Sequence, residues 1–194
     1  MHHHLTIRRR LNQENDKGII LLHGFPGTGK TTYLRNLVGS LTKKVLFISP
    51  SVAQNLMNPE FIDLLIDNPN AVLVIEDAEN IIMDRKHSSN SSVSNLLNLS
   101  DGLLSDCLNV QIICTFNNAL SLVDDALLRK GRLIARYEFG KLNEHKAQKL
   151  SDHLGLNQIV RKPVTLAELT NPEQSDFNPV YKTTIGFHAS VVEN

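Results

Sequence analysis

Five short apolar runs punctuate the chain, at Gly18–His23, Val45–Ser49, Ala71–Ile75, Val110–Phe116 and Ile134–Phe139. The second, third and fourth are almost continuously apolar and rich in Val and Ile, the pattern of central parallel strands covered on both faces. Between the runs, Thr31–Leu41, Val52–Ile66 and Val93–Leu104 carry Leu, Val and Ile at helical spacing. Strand and helix alternating on this scale predict a doubly wound, three-layer α/β domain with a five-stranded parallel sheet. In such sheets ligands bind at the carboxyl ends of the strands. After Gly140 the rhythm changes: Asn143–Leu154 reads as a helix capped by Asn143 and ended by Gly155. From Val164 onward no strong periodicity remains, and there is no internal repeat. The polar, Ser-rich stretch Arg85–Ser92 reads as a flexible connector.

Composition sets bounds on this picture. A chain of 194 residues, 41% apolar and 21% charged, makes one domain of ordinary size, or one with a small appendage, and has enough apolar material for a core. A formal net charge of zero gives no global pull towards nucleic acid or membrane. Arg8-Arg9-Arg10 is the only basic cluster and reads as a solvated charge run. It follows Met1-His2-His3-His4, which reads as an expression remnant, so residues 1–16 are treated as an N-terminal extension. Cys107 and Cys114 lack the paired histidine spacing of a zinc site, and Cys114 reads as a small buried hydrophobe in a reduced protein. No apolar stretch approaches the ~18 residues of a membrane span, and no signal-peptide core follows the N-terminus, so the expected location is cytoplasmic.

The chemistry concentrates in Gly24-Phe25-Pro26-Gly27-Thr28-Gly29-Lys30-Thr31, with Thr32 behind it. This is the G-x-x-x-x-G-K-[ST] pattern of a phosphate-cradling P-loop, set between the first strand and the first helix. A plain tight turn would not need Lys-Thr at that position. The glycines let successive N–H groups face one concavity at the positive end of a helix. Lys30 is then placed to reach the β- and γ-phosphates of a nucleotide, and the Thr31 hydroxyl to sit on Mg²⁺.

Three further segments fit a nucleotide-hydrolysing site. The run Ala71–Ile75 ends in Glu76-Asp77, one acid in the position that holds Mg²⁺ and one in the position that orients the attacking water. Ile112–Phe116 ends in Asn117-Asn118, and an amide at a strand end can hydrogen-bond a γ-phosphate or the attacking water, although Asn-Asn is also a turn signal. Asp124–Leu133 supplies Arg129 and Arg132 beside Gly131. Such arginines can reach across a subunit interface into a neighbour's site, and a guanidinium supplied in this way is worth roughly 10³–10⁵ in rate in GTPases.

Taken in order, these motifs, with Asn95–Leu103 between them, resemble the AAA module of the AAA+ ATPases from about Lys17 to about Gly155. The last motif is similar to the second region of homology, usually Asp-Pro-Ala-Leu-Leu-Arg-Pro-Gly-Arg. The usual acid order is Asp then Glu, and this chain reverses it, in a style similar to the mitochondrial AAA proteins that translocate the Rieske protein and their bacterial relatives. The resemblance implies a P-loop NTPase domain over residues 17–140, then a short partial helical lid and tail over 141–194. It implies ATP as ligand with Mg²⁺, Asn117 as sensor, Arg132 as the main finger with Arg129 as helper, a homo-oligomeric ring, and a protein substrate of unknown identity. Ala135 stands where many relatives carry a second finger arginine, Lys130 replaces a common Pro, and no aromatic–hydrophobic–Gly pore loop occurs between Ser49 and Asn70. Swapping Glu and Asp shifts side-chain reach by about one C–C bond, a displacement that matters for catalysis. Two alternatives therefore stand beside an ATPase that remodels a protein: a nucleotide-dependent switch or scaffold with little hydrolysis, and a P-loop small-molecule kinase.

Overall fold

A computed structural model describes residues 2–83 and 92–171, so the connector at 85–92 falls, but for Ser92, outside the described residues, as does everything after Asn171. Five strands, β1 (Gly18–Gly24), β2 (Val45–Ile48), β3 (Val72–Ile75), β4 (Gln111–Phe116) and β5 (Leu133–Phe139), form one parallel sheet in the order β2-β3-β4-β1-β5. Parallel neighbours need crossover connections, and the helices that supply them cover both faces. The doubly wound α/β architecture read from the sequence is the one present.

Alternation along the strands divides the core into two layers. Ile19 and Leu21 of β1, Leu73 and Ile75 of β3, and Ile112, Cys114 and Phe116 of β4 face one way. They meet Ala53 of α3 (Pro50–Ala53), Phe61 and Leu65 of α4 (Pro59–Ile66), Ile81 and Ile82 of α5 (Glu79–Ile82), and Leu96 and Leu99 of α6 (Ser92–Asp101). Ile20, Leu22, Val72, Val74 and Ile113 face the other way, against Ile7 and Leu11 of α1 (His2–Asn12) and Leu34 and Leu37 of α2 (Lys30–Val38). Helix α7 (Leu103–Leu108) leads into β4, and α8 (Glu144–Leu154) and α9 (Leu166–Thr170) follow β5. Helix α8 begins and ends where its caps predict: Asn143 accepts from the Lys146 N–H, and Gly155 takes the left-handed conformation.

The structure corrects six expectations. Strand β2 is an edge strand rather than a central one, and its Phe47 is 64% exposed. The predicted helix Val52–Ile66 is two helices, because Pro59 lacks the N–H a helix interior needs and opens α4 instead. Val93–Leu104 is also interrupted, at Gly102, where a Cβ would meet the Asn98 carbonyl oxygen at 2.4 Å. The segment after Val164 holds α9. Residues 2–12 are a helix built into the core, with Ile7 and Leu11 buried. Arg10 is not a solvated charge: its Nε and one terminal nitrogen donate to the Asp16 carboxylate at 2.6 and 2.8 Å, and the buried Gln111 amide donates to the same carboxylate at 3.0 Å.

Candidate functional site

The P-loop occupies the turn between β1 and α2. Gly24 leaves β1 with φ +136°, and a Cβ there would lie 2.1 Å from the Phe139 carbonyl oxygen, so the turn needs a residue with no side chain. Gly29 precedes α2 in the left-handed region and offers no side-chain cap, which leaves the first N–H groups of α2 directed at the loop. Thr28 closes the turn by donating its hydroxyl to the Phe25 carbonyl at 2.7 Å. Lys30 opens α2, and its buried ammonium donates to the carbonyls of Gly24 at 2.7 Å and Phe25 at 3.0 Å. Burial pulls the Lys30 pKa below the usual lysine value, while the Glu79 and Asp77 carboxylates pull it back up.

The two acids arrive on the end of β3. Glu76 lies beside the P-loop helix, where the Thr31 hydroxyl donates to its Oε1 at 3.0 Å. The residues expected to share a metal therefore already touch. Both offer hard oxygen donors suited to Mg²⁺. Among the described residues no group of three or more His, Cys, Asp or Glu forms a metal cluster, so phosphate oxygens and water would complete the coordination. Asp77 follows in the left-handed region with φ 52°. Its backbone N–H points to Thr115 Oγ1 at 3.4 Å, and the next N–H, of Ala78, donates to the Thr115 carbonyl at 2.9 Å. The end of β4 thus pins the acids of β3.

Pro26, Gly27, Gly29, Lys30, Thr31 and Thr32 share one hollow of about 400 Å³ with Asp77, Thr115 and Asn117. Gly24 and Phe25 turn towards a neighbouring hollow of about 520 Å³, with His23, Arg136 and Glu138, and Asn117 contributes to both walls. The two arginines stand apart from either. Arg129 is exposed. Arg132 is half-buried, its Nε 2.6 Å from Asp101 Oδ2 and one terminal nitrogen donating to the Ala126 carbonyl at 3.1 Å.

Two parts of the site escape sequence reasoning. Helix α9 lies over the P-loop, with Leu166, Ala167, Thr170 and Asn171 on the wall of the nucleotide-sized hollow and the Ala167 N–H donating to the Gly27 carbonyl at 2.9 Å. A local signal existed, the Thr165-x-x-Glu168 capping box: Thr165 Oγ1 accepts from the Glu168 N–H, and the Glu168 carboxylate accepts from the Thr165 N–H at 2.6 Å. That second bond, first among the causes, holds the Glu168 pKa below the usual carboxylate value. The other missed residue is Glu79, whose Oε1 accepts both the backbone N–H of Asn117 at 2.7 Å and its side-chain amide at 3.1 Å.

Comparison with known proteins identifies the family. The model of the ATPase family associated with various cellular activities (AAA) matches residues 20–141, well over half of the chain. The chain belongs to the AAA family. It is 29% identical over 138 residues to a probable mitochondrial chaperone bcs1 of Schizosaccharomyces pombe, covering 67% of this chain and 30% of that protein. It is 28% identical over 146 residues to a probable mitochondrial chaperone BCS1-A of Dictyostelium discoideum, covering 69% of this chain and 34% of the relative. An AAA-ATPase of Arabidopsis thaliana is 33% identical over 124 residues, covering 58% and 27%. The chain thus spans only about a third of the length of these AAA relatives. Helices α1, α8 and α9 lie outside the part that matches the AAA model.

Proposed function

We propose that this AAA module binds and hydrolyses ATP, and that it works as a homo-oligomer to remodel a protein partner. The observation that carries the reading is the convergence of Lys30, Thr31, Asp77 and Asn117 on one hollow at the carboxyl ends of β1, β3 and β4. In the reaction, water attacks the γ-phosphorus in line with the departing ADP. Lys30 exchanges the loop carbonyls for phosphate oxygens, and with the loop amides it offsets their charge. Mg²⁺ held by Thr31, Glu76 and the phosphates would add positive charge where the transition state gains negative charge. Asp77 orients the water, and Asn117 senses the γ-phosphate. A neighbouring subunit's Arg132, helped by its Arg129, completes the charge stabilisation after leaving Asp101. That exchange is cheap, because the Asp101 side chain is 43% exposed and surface pairs contribute roughly 0–1 kcal/mol.

A second reading, a nucleotide-dependent switch with little turnover, is favoured by one observation: the reversed acid pair places the shorter Asp77, in a left-handed turn, where a longer Glu usually orients the water. Steady-state ATP hydrolysis against protein concentration separates the two. The ATPase reading expects turnover per subunit to rise with concentration and to collapse in Lys30→Ala, Asp77→Asn and Arg132→Ala. Nucleotide affinity should fall about 10- to 100-fold in Lys30→Ala, the worth of one charged hydrogen-bond donor, and stay near normal in Asp77→Asn. Tight ATP binding without turnover at any concentration would support the switch.

A further inference from the structure

We infer that Glu79 is a positioning residue that sets the side-chain amide of Asn117 in one of its two flip states. The inference rests on the proposal that Asn117 senses the γ-phosphate. Asn117 is exposed, and the terminal torsion of an asparagine is broad and roughly two-fold, so its amide would ordinarily turn over freely. Here Glu79 Oε1 accepts from two points of the same residue, the backbone N–H at 2.7 Å and Nδ2 at 3.1 Å. Turning the amide over would bring Oδ1 against that carboxylate oxygen, two acceptors at contact distance with no proton between them. The hold therefore leaves one Nδ2 hydrogen and the Oδ1 lone pairs in defined directions. A phosphate oxygen only accepts hydrogen bonds, whereas an attacking water needs an acceptor to orient it. A sensor whose amide flipped at random would serve neither.

The wiring around Glu79 gives this hold its rigidity. Thr115 ties Asp77 and Ala78 to the end of β4, and two residues further on in both segments Glu79 ties Asn117 to the start of α5. The far end of α5 is fixed as well. The Asp124 N–H donates to the Ile82 carbonyl at 2.9 Å, and Met83 bridges to Val123. The four residues of α5 thus join the acids, the amide and the segment that leads to Arg129 and Arg132. The Glu79 carboxylate also raises the Lys30 pKa against the larger lowering effect of burial.

The test compares Glu79→Ala with Glu79→Gln, whose carbonyl oxygen still accepts both N–H groups. Glu79→Ala should lower kcat about 10- to 100-fold, the scale of a misplacement near 1 Å, with KM for ATP within about threefold of normal. Glu79→Gln should recover most of that loss. Equal losses in both variants would assign the effect to charge and overturn the inference, as would an unchanged kcat in Glu79→Ala. The side-chain amide resonance of Asn117 provides a readout independent of turnover. In the unmutated chain it should carry the downfield shift of a carboxylate-bound N–H and lose it in Glu79→Ala, along with any preference for an ATP analogue over ADP. A free-amide signal in the unmutated chain would overturn the inference without any variant having to fold. Should the unmutated chain hydrolyse no ATP, the functional proposal fails separately, while the amide signal and the nucleotide preference still decide the role of Glu79.

Discussion

Ala167 donates its N–H to the Gly27 carbonyl, and its Cβ lies 2.9 Å from where a Cβ on Gly27 would sit. Helix α9 is therefore docked on the P-loop turn itself, by a hydrogen bond and by the smallness of both residues. Gly27 also carries φ +73°, a conformation that costs a residue with a side chain roughly 1–2 kcal/mol. Gly27→Ala should lower Tm and push α9 off the loop, weakening nucleotide binding. The double variant with Ala167→Gly should restore the part due to the clash and leave the part due to φ. Thermal melts and titration with a fluorescent nucleotide would show this. Two single-variant costs that simply add would mean that α9 does not pack on the turn.

Arg132 and Asp101 form a partly exposed pair, with side chains 22% and 43% accessible. Pairs of this kind contribute at most about 1 kcal/mol. Arg132→Ala and Asp101→Ala should each shift a urea midpoint only slightly, at an unchanged denaturant slope. A loss of ATP turnover in Arg132→Ala would then report on the reaction rather than on folding. A midpoint shift worth several kcal/mol would instead assign Arg132 a structural role within its own chain.

Strands β3 and β4 are legible because both faces are buried, which leaves no polar position in β3 and only the buried Gln111 and Thr115 in β4. The same continuity conceals position in the sheet: β2 reads like them, yet it lies at the edge with Phe47 facing out. Glu76, Asp77 and Asn117 are legible because each closes an apolar run, and strand ends are where such sheets bind ligands. Glu79 is not, since its role comes from a contact across 38 residues and an acid just past a strand resembles any surface carboxylate. Helix α9 has five residues, too few for a helical period, and only its capping box marks it locally. Ile7 and Leu11 have helical spacing, but the histidines and arginines around them conceal the buried face.

His23 is the penultimate residue of β1, its ring stacked on Phe116 with the centroids 5.3 Å apart and the planes 15° from parallel. Burial lowers its pKa below the ordinary value. Glu138 opposes the shift, while Arg136 and Lys30 add to it. The unfolded chain therefore binds this proton more readily than the folded one, and stability rises with pH across the interval between the two pKa values. The contribution is complete above about pH 6.5, the unfolded value, and is lost as pH falls through the lower folded value. His23→Phe keeps the stacking and cannot titrate. Its Tm should fall less than that of the unmutated chain between about pH 7 and pH 5, and parallel curves would show that the proton is bound equally in both states.

Leu11 tests whether α1 is part of the domain. It is fully buried against the α2 side of the sheet, while Leu5 on the same helix is 60% exposed. The helix also reaches α2 directly, through a 3.2 Å hydrogen bond between His4 Nδ1 and the Tyr33 hydroxyl. Truncating a buried leucine costs about 2–5 kcal/mol, or roughly 5–15 °C in Tm for a domain of this size. Truncating an exposed one stays within about 0.5 kcal/mol. Leu11→Ala should therefore melt well below Leu5→Ala, which should match the unmutated chain. If the two melted together, α1 would be a dispensable extension, and Arg10, Asp16 and Gln111 would hold in place a helix that the core does not need.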